Sequence, residues 1–235
     1  MASKTRATLL GLLVSSMFIA HGVSATPFTV TAWAPAGGAG VNISKTDAPT
    51  RNYNGSGGGF VMTNTTPGSV ETFISWCVDI FQYIPGSTPG DYTLDAGGTT
   101  LNATTRNDLG RLATMFLTAA TTPGAASNAA AFQLAVWEII YERAPGGYSL
   151  GSGNFLSNAA TSAPHTTAQG WLGQLNNPAN SANNYSLNVY TSSGLQDQVT
   201  FTSVSEPATL GLLGLGLIGL GLARRRTARR QTAMV

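Results

Sequence analysis

The chain has 235 residues, 43% hydrophobic and only 9% charged, with 28 glycines, one cysteine, two histidines and a formal net charge of +2. A single cysteine cannot close an internal disulfide, and one Cys with so few His cannot assemble a typical zinc site. The positive balance sits at the two ends: across residues 26–203 five bases face nine acids with no basic patch, which removes the electrostatic basis for binding nucleic acid.

The first element is a secretory signal. Lys4 and Arg6 precede the apolar run Leu9 to Ala20, and Val23-Ser24-Ala25 supplies small residues suited to cleavage after Ala25, so residues 1–25 read as a signal peptide. The segment 26–203 that follows is one domain's worth of chain and long enough for a hydrophobic core. No repeat of fixed period runs through it, which argues against a solenoid.

Short β-prone runs come first: Phe28 to Trp33, Phe60 to Thr63 and Val70 to Ile80. The Gly/Pro/Asn stretches Pro35 to Gly40 and Asn54 to Gly59 read as turns between them. Strand alternation puts Ile74, Trp76, Val78 and Ile80 on one face and Phe73, Ser75, Cys77 and Asp79 on the other. A cysteine acting only as a small buried hydrophobe would prefer the first face, although the second can also pack against helices. Asp91 and Asp95 with Gly97-Gly98 lack the spacing of an EF-hand and read as a solvated turn. The glycine runs lack the Lys-Ser ending of a phosphate loop.

From about Thr105 to Asn176 the period becomes helical. Leu109, Leu112, Met115 and Phe116 mark one helix. Ser127 is a suitable N-cap for a second, running from Asn128 to Arg143 and stopped by Pro145-Gly146. A third follows Pro164 and carries Trp171, Leu172 and Leu175. In the second helix Glu138 and Glu142 lie roughly 140° and 180° around from Gln133, while Val136, Trp137 and Ile140 lie within about 60° of it. Gln133 therefore sits in an apolar sector, and a buried amide without partners costs about 1–3 kcal/mol. Backbone groups are one way to satisfy it. From Tyr185 to Phe201 the alternation returns, as closing strands. The fold class is α+β: a β sheet or barrel with a helical region inserted between early and late strands.

The C-terminal run from Val204 to Arg226 joins an acidic-proline motif, an apolar glycine-rich segment and an arginine cluster. Ala208 to Ala223 is free of charge and reaches only about 24 Å as a helix, short of the roughly 30 Å hydrocarbon core. Arginines behind an apolar segment are retained on the cytoplasmic side, which places the preceding chain outside.

This three-part ending resembles the PEP-CTERM sorting signal of Gram-negative bacteria, recognised by exosortase-type membrane enzymes. The resemblance covers residues 204–230. It implies a sorting motif at Ser205-Glu206-Pro207, with Ser205 standing where the family usually has its first proline. It also implies a transmembrane helix at about 208–223 and a cytoplasmic anchor in Arg224, Arg225 and Arg226. The expected route is export, transient inner-membrane anchoring and processing by an exosortase-type enzyme. The destination is the cell surface or the extracellular matrix.

The segments S-W-C-V-D-I-F and A-A-F-Q-L-A-V-W-E-I-I-Y resemble the bacterial Cys-Gln thioester domains of surface adhesins. That resemblance implies that Cys77 condenses with Gln133, expelling ammonia, and that Ala135, Val136 and Trp137 continue the helix motif. Phe132 stands where the family usually has threonine. Asp79 and Trp137 would form the environment of the bond, orienting a nucleophile or proton and shielding the acyl group, or serve only as a strand-end aspartate and a core tryptophan. The thioester would react with an amine- or hydroxyl-bearing surface ligand. The rival reading is a non-covalent structural or carbohydrate-binding component of a biofilm matrix, with an exopolysaccharide as partner. A weaker rival is a Cys77/His165 hydrolase with Asp79 or Asn176 orienting the imidazole. The leading reading is not an enzyme and calls for no cofactor.

Overall fold

The computed structural model describes residues 28–64, 71–84, 90–95, 98–142, 147–204, 214 and 216–218, with 28–35 described by their backbone alone. The strands are β1 (Phe28–Lys45), β2 (Arg51–Asn64), β3 (Glu71–Cys77), β4 (Gly90–Leu94), β5 (Phe155–Ser157), β6 (Tyr185–Thr191) and β7 (Gln198–Ser203). The helices are α1 (Ala103–Thr121), α2 (Ala126–Tyr141) and α3 (Ala163–Leu175). Helices inserted between early and late strands are what the change of hydrophobic period predicts. The signal peptide at 1–25, Ser205-Glu206-Pro207 and Arg224, Arg225 and Arg226 lie outside the described residues, as does most of the apolar run at 208–223. Among the described residues no helix is long and apolar enough to cross a membrane.

All seven strands pair antiparallel in the order β2-β3-β7-β6-β4-β1-β5, and β1 also pairs with β2. Six strands therefore form a closed ring, with β5 added beside the end of β1. Closure removes the unpaired edges that an open sheet exposes. Trp76 pairs with Val199 and Cys77 with Gln198, so alternation sorts the residues as far as Cys77; β3 ends there, and Val78, Asp79 and Ile80, expected to continue the strand, lie beyond it. Trp76 packs 4.5 Å from Phe132 of α2, ring centre to ring centre, and Phe132 meets Phe201 edge-on at 5.6 Å. On the opposite face Phe73 and Tyr190 pack against Met62, Tyr92 and Leu195 in a separate cluster. Ser75 and Cys77 both hydrogen-bond to Gln198 and so share a face, as the alternation predicts, although Cys77 packs with the main core.

The glycine-rich stretches are the main correction to the sequence reading. Pro35 to Gly40 and Asn54 to Gly59 are paired strand, not turns: Gly37 faces Gly59, Gly38 faces Gly58 and Ala39 faces Gly57. The missing side chains permit close approach rather than reversal. A Cβ on Gly58 would fall 2.0 Å from the Gly37 carbonyl oxygen, and one on Gly37 would fall 3.3 Å from Cβ of Ala129. This is where α2 crosses the β1–β2 hairpin.

Helix α1 is capped by Asn102, whose Oδ1 accepts from Thr105 N–H at 2.9 Å, and buries Leu109, Leu112 and Ala113. Helix α3 starts from Ser162, which accepts from His165 N–H at 3.3 Å, with Pro164 in its first turn. Its Trp171 stacks on Phe116 of α1 with ring centres 4.7 Å apart. Helix α2 departs from expectation at both ends. Ser127 is not its cap: the helix begins at Ala126, and the Ser127 hydroxyl is buried without a partner. At the other end it stops at Tyr141, and Pro145-Gly146 lies outside the described residues.

The acidic sector of α2, opposite Gln133, is buried as well. Every residue from Ala129 to Ile139 is buried, because α2 contacts the ring on one side and α1 and α3 on the others. Glu138 accepts from Ser149 N–H at 2.6 Å, and Glu142 accepts from Asn154 N–H and, at 3.3 Å, from Phe155 N–H. The two carboxylates thus hold the segment that leads into β5. Burial raises the Glu138 carboxyl from 4.5 to about 8, against the Ser149 hydrogen bond and with help from the nearby Glu142 charge. Its second oxygen has no hydrogen-bond partner.

Two outcomes follow from this packing. Gly58→Ala should cost about 1–3 kcal/mol through overpacking, whereas Gly40→Ala, with nothing within 4 Å of the added carbon, should be close to neutral. Urea unfolding of the two variants side by side measures the difference. For Glu138 the unfolded state releases its proton from about pH 4.5 upward while the folded state keeps it to about 8, so stability falls as pH rises through that window. The slope is at most about 1.4 kcal/mol per pH unit. Glu138→Gln should flatten this fall, read as the difference in unfolding midpoint between the two ends of the window.

Candidate functional site

Strand β3 ends at Cys77, and the chain beyond it is held by α2 at two points. Gln133 binds the main chain of Cys77 on both sides: its Oε1 accepts from Cys77 N–H at 2.9 Å, and its Nε2 donates to the Cys77 carbonyl at 2.7 Å. Two turns along α2, the Tyr141 hydroxyl donates to the Val78 carbonyl at 3.0 Å and accepts from Ile80 N–H at 3.2 Å. The backbone at the end of β3 is therefore satisfied by side chains where the ladder stops. Gln133 is fully buried, so it needs these partners. The sequence located this buried amide; its partner 56 residues away is set by the packing of α2 on the ring.

The Cys77 sulfur lies on the second face of the ring, 3% exposed as a residue, among two glutamines that sequence reasoning missed. Its Sγ donates to Gln196 Oε1 at 2.8 Å and accepts from Gln198 Nε2 at 3.4 Å. The available signal was the spacing in Q-D-Q-V-T-F, which sets Gln196 and Gln198 two apart at the entry to β7. Burial pushes the thiol up to about 12; the Gln198 hydrogen bond pulls it down and the Asp79 charge adds to the rise. At neutral pH the sulfur is a protonated thiol.

Cys77, Gln133, Trp137 and Gln196 line one cleft of about 130 Å³, walled by Tyr53, Gly57, Gly58 and Phe60 among others. That volume holds a few water molecules or the end of one side chain. Trp137 is 3% exposed and meets the Tyr53 ring edge-on at 6.3 Å, so the wall beside Gln133 is aromatic. Asp79 faces its own turn: its Oδ1 accepts from Phe81 N–H at 2.7 Å. His165 does not line this cleft. It sits in the first turn of α3, its Nδ1 buried without a hydrogen-bond partner, and burial lowers its pKa. Asn176 is likewise engaged elsewhere, with the Tyr148 main chain. The structure brings Cys77, Gln133 and Trp137 together and leaves out the pair that a Cys/His hydrolase would need.

Asp91 lies on β4, and Asp95 closes the turn that follows it. Asp95 accepts from Thr99 and Thr100 N–H at 3.0 and 2.8 Å and pairs with Arg106 at 3.2 Å. Among the described residues no three His, Cys, Asp or Glu side chains converge as a metal-binding group.

Among curated proteins none matches the chain. A solved structure to which it is similar is the N-terminal domain of the Streptococcus pyogenes pilus tip adhesin Cpa. The identity is 13% and the TM-score 0.40, covering 70% of this chain and 95% of that one. A likeness at that level does not extend to the chemistry of individual residues. The PEP-CTERM protein-sorting motif matches residues 203–226, which span Ser205, Glu206, Pro207 and Arg224 to Arg226. The chain therefore carries the signal of an exosortase-sorted exported protein, held transiently at the membrane and then placed at the surface or outside the cell.

Proposed function

We propose that the exported segment, residues 26–203, is a surface adhesin domain that couples covalently to its partner through an internal thioester between Cys77 and Gln133. The signal peptide at 1–25 directs export. The apolar helix at 208–223, with Arg224, Arg225 and Arg226 on the cytoplasmic side, holds the chain for processing at Ser205-Glu206-Pro207. The observation that carries the covalent reading is the Gln133 carboxamide held by two hydrogen bonds against Cys77, with both residues on one cleft.

The sulfur adds to the Gln133 side-chain carbonyl, forming the S–C bond. The C–N bond then breaks, and the thiol proton leaves with the nitrogen as ammonia. Cys77 N–H already points at the oxygen that carries the developing charge, as an oxyanion donor does. Trp137 and Tyr53 limit the water that would hydrolyse the product. An amine or hydroxyl of a surface ligand, entering the cleft, would attack the same carbon and release the thiol.

The second reading is a non-covalent matrix component that binds an exopolysaccharide. It is favoured by one observation: both polar atoms of Gln133 are already satisfied, as a structural staple requires. Intact mass separates the two. The exported wild-type protein should be one ammonia lighter than encoded, and Cys77→Ala should show its full encoded mass. A wild type of full mass with an alkylable thiol overturns the covalent reading, and retention on an immobilised polysaccharide would then support the other.

A further inference from the structure

The orientation of the two glutamines beside Cys77 is determined by groups that can only accept. Gln196 Nε2 donates to the Asp79 carbonyl, which turns its Oε1 toward the sulfur at 2.8 Å. Gln198 Nε2 donates to the Gln196 carbonyl at 3.1 Å, and its Oε1 accepts from Ser75 Oγ at 2.9 Å, which turns its second N–H toward the sulfur. The S–H bond therefore points at Gln196, while a sulfur lone pair faces the Gln198 amide. These contacts act in opposite directions. A bond accepted from S–H stabilises the neutral thiol, and a bond donated to sulfur stabilises the thiolate.

Their burial differs as well. Gln198 is fully buried, whereas Gln196 is half-buried in the β6–β7 connection and lines the cleft. In its own segment the charge that acts on the sulfur is that of Asp79, two residues past the end of β3. From the elements packed against it, Tyr53 of β2, Tyr92 of β4 and Tyr141 of α2 complete the set of ionisable groups. None is a cation, so among these groups the Gln198 amide is the one that favours the thiolate.

We propose that Gln196 and Gln198 are opposed positioning residues for the Cys77 sulfur: Gln196 restrains it as a thiol, and Gln198 prepares it as a nucleophile. Gln196, at the cleft, is the member that moves aside when the sulfur reacts. The inference rests on the Cys77–Gln133 reading only for what the sulfur attacks.

The test uses the full chain carrying Gln133→Met, in which the thiol stays free whether or not the native protein forms a thioester. In that background Gln198→Met should slow iodoacetamide alkylation of Cys77 at neutral pH by about tenfold, the effect of one unit of pKa. Gln196→Met should speed it several-fold. Alkylation should keep its first-order dependence on hydroxide in all three proteins, displaced in opposite directions. Rates that move the same way in both variants, or move in neither, overturn the proposal. The S–H stretching band of the Gln133→Met chain, assigned by its loss in Cys77→Ala, needs neither glutamine variant. A band lowered as for a hydrogen-bonded donor supports the assignment, and one at the free-thiol position overturns it.

Discussion

The pairing of one side-chain amide with the main chain of one residue organises this molecule. Gln133 reaches from the middle of α2 to the last residue of β3 and satisfies both its N–H and its carbonyl. A buried amide that lacked either partner would cost on the order of 1–3 kcal/mol, and so would the strand-end groups left behind. The helix cannot slide or rotate on the ring without breaking both bonds. That constraint fixes where Cys77 ends its strand, and through alternation it fixes which way the sulfur points.

Everything around α2 serves to admit it. The β1–β2 hairpin gives up side chains at Gly37 and Gly57, where α2 lies against it, and at Gly38 and Gly58, where the two strands themselves approach closely. On its other sides α1 and α3 enclose the helix, which buries two carboxyl groups. The chain answers with the N–H groups of Ser149, Asn154 and Phe155, and so the acids become the anchor of the segment leading to β5. The same enclosure pushes the Cys77 thiol up to about 12 and so disfavours the thiolate. Around that sulfur the fold gathers the Gln133 carboxamide of α2 and, at the entry to β7, Gln196 and Gln198.

Much of the fold was legible in the chain because its signals are local. The helical period around Leu109, Leu112 and Phe116, Pro164 in the first turn of α3 and the alternation through Ile74, Trp76 and Val199 each depend on neighbours a few residues apart. Two readings failed: the glycine stretches looked like turns, and Ser127 looked like a cap. For the glycines a distant element decided, since β1 and β2 pair along them and α2 crosses at Gly37 and Gly57. Short β4 and β5 carried too little pattern to be seen, and they exist because β1 is long enough to pair with both.

For function, the sequence by itself determined the address. Charge, apolar length and the Glu206-Pro207 motif act as a linear string read by export and sorting machinery, so no tertiary contact is needed to interpret them. It also singled out Cys77 and Gln133, one by its solitude and one by its polarity within an apolar sector. Only the tertiary structure decided that these two meet, that they meet through the main chain of Cys77, and that Gln196 and Gln198 bracket the sulfur from the other side. Hydrogen bonds between residues 56 and more than 100 positions apart leave no periodic trace in a chain. They come into being when closure of the strand ring and burial of α2 bring the segments within 3 Å or so of one another.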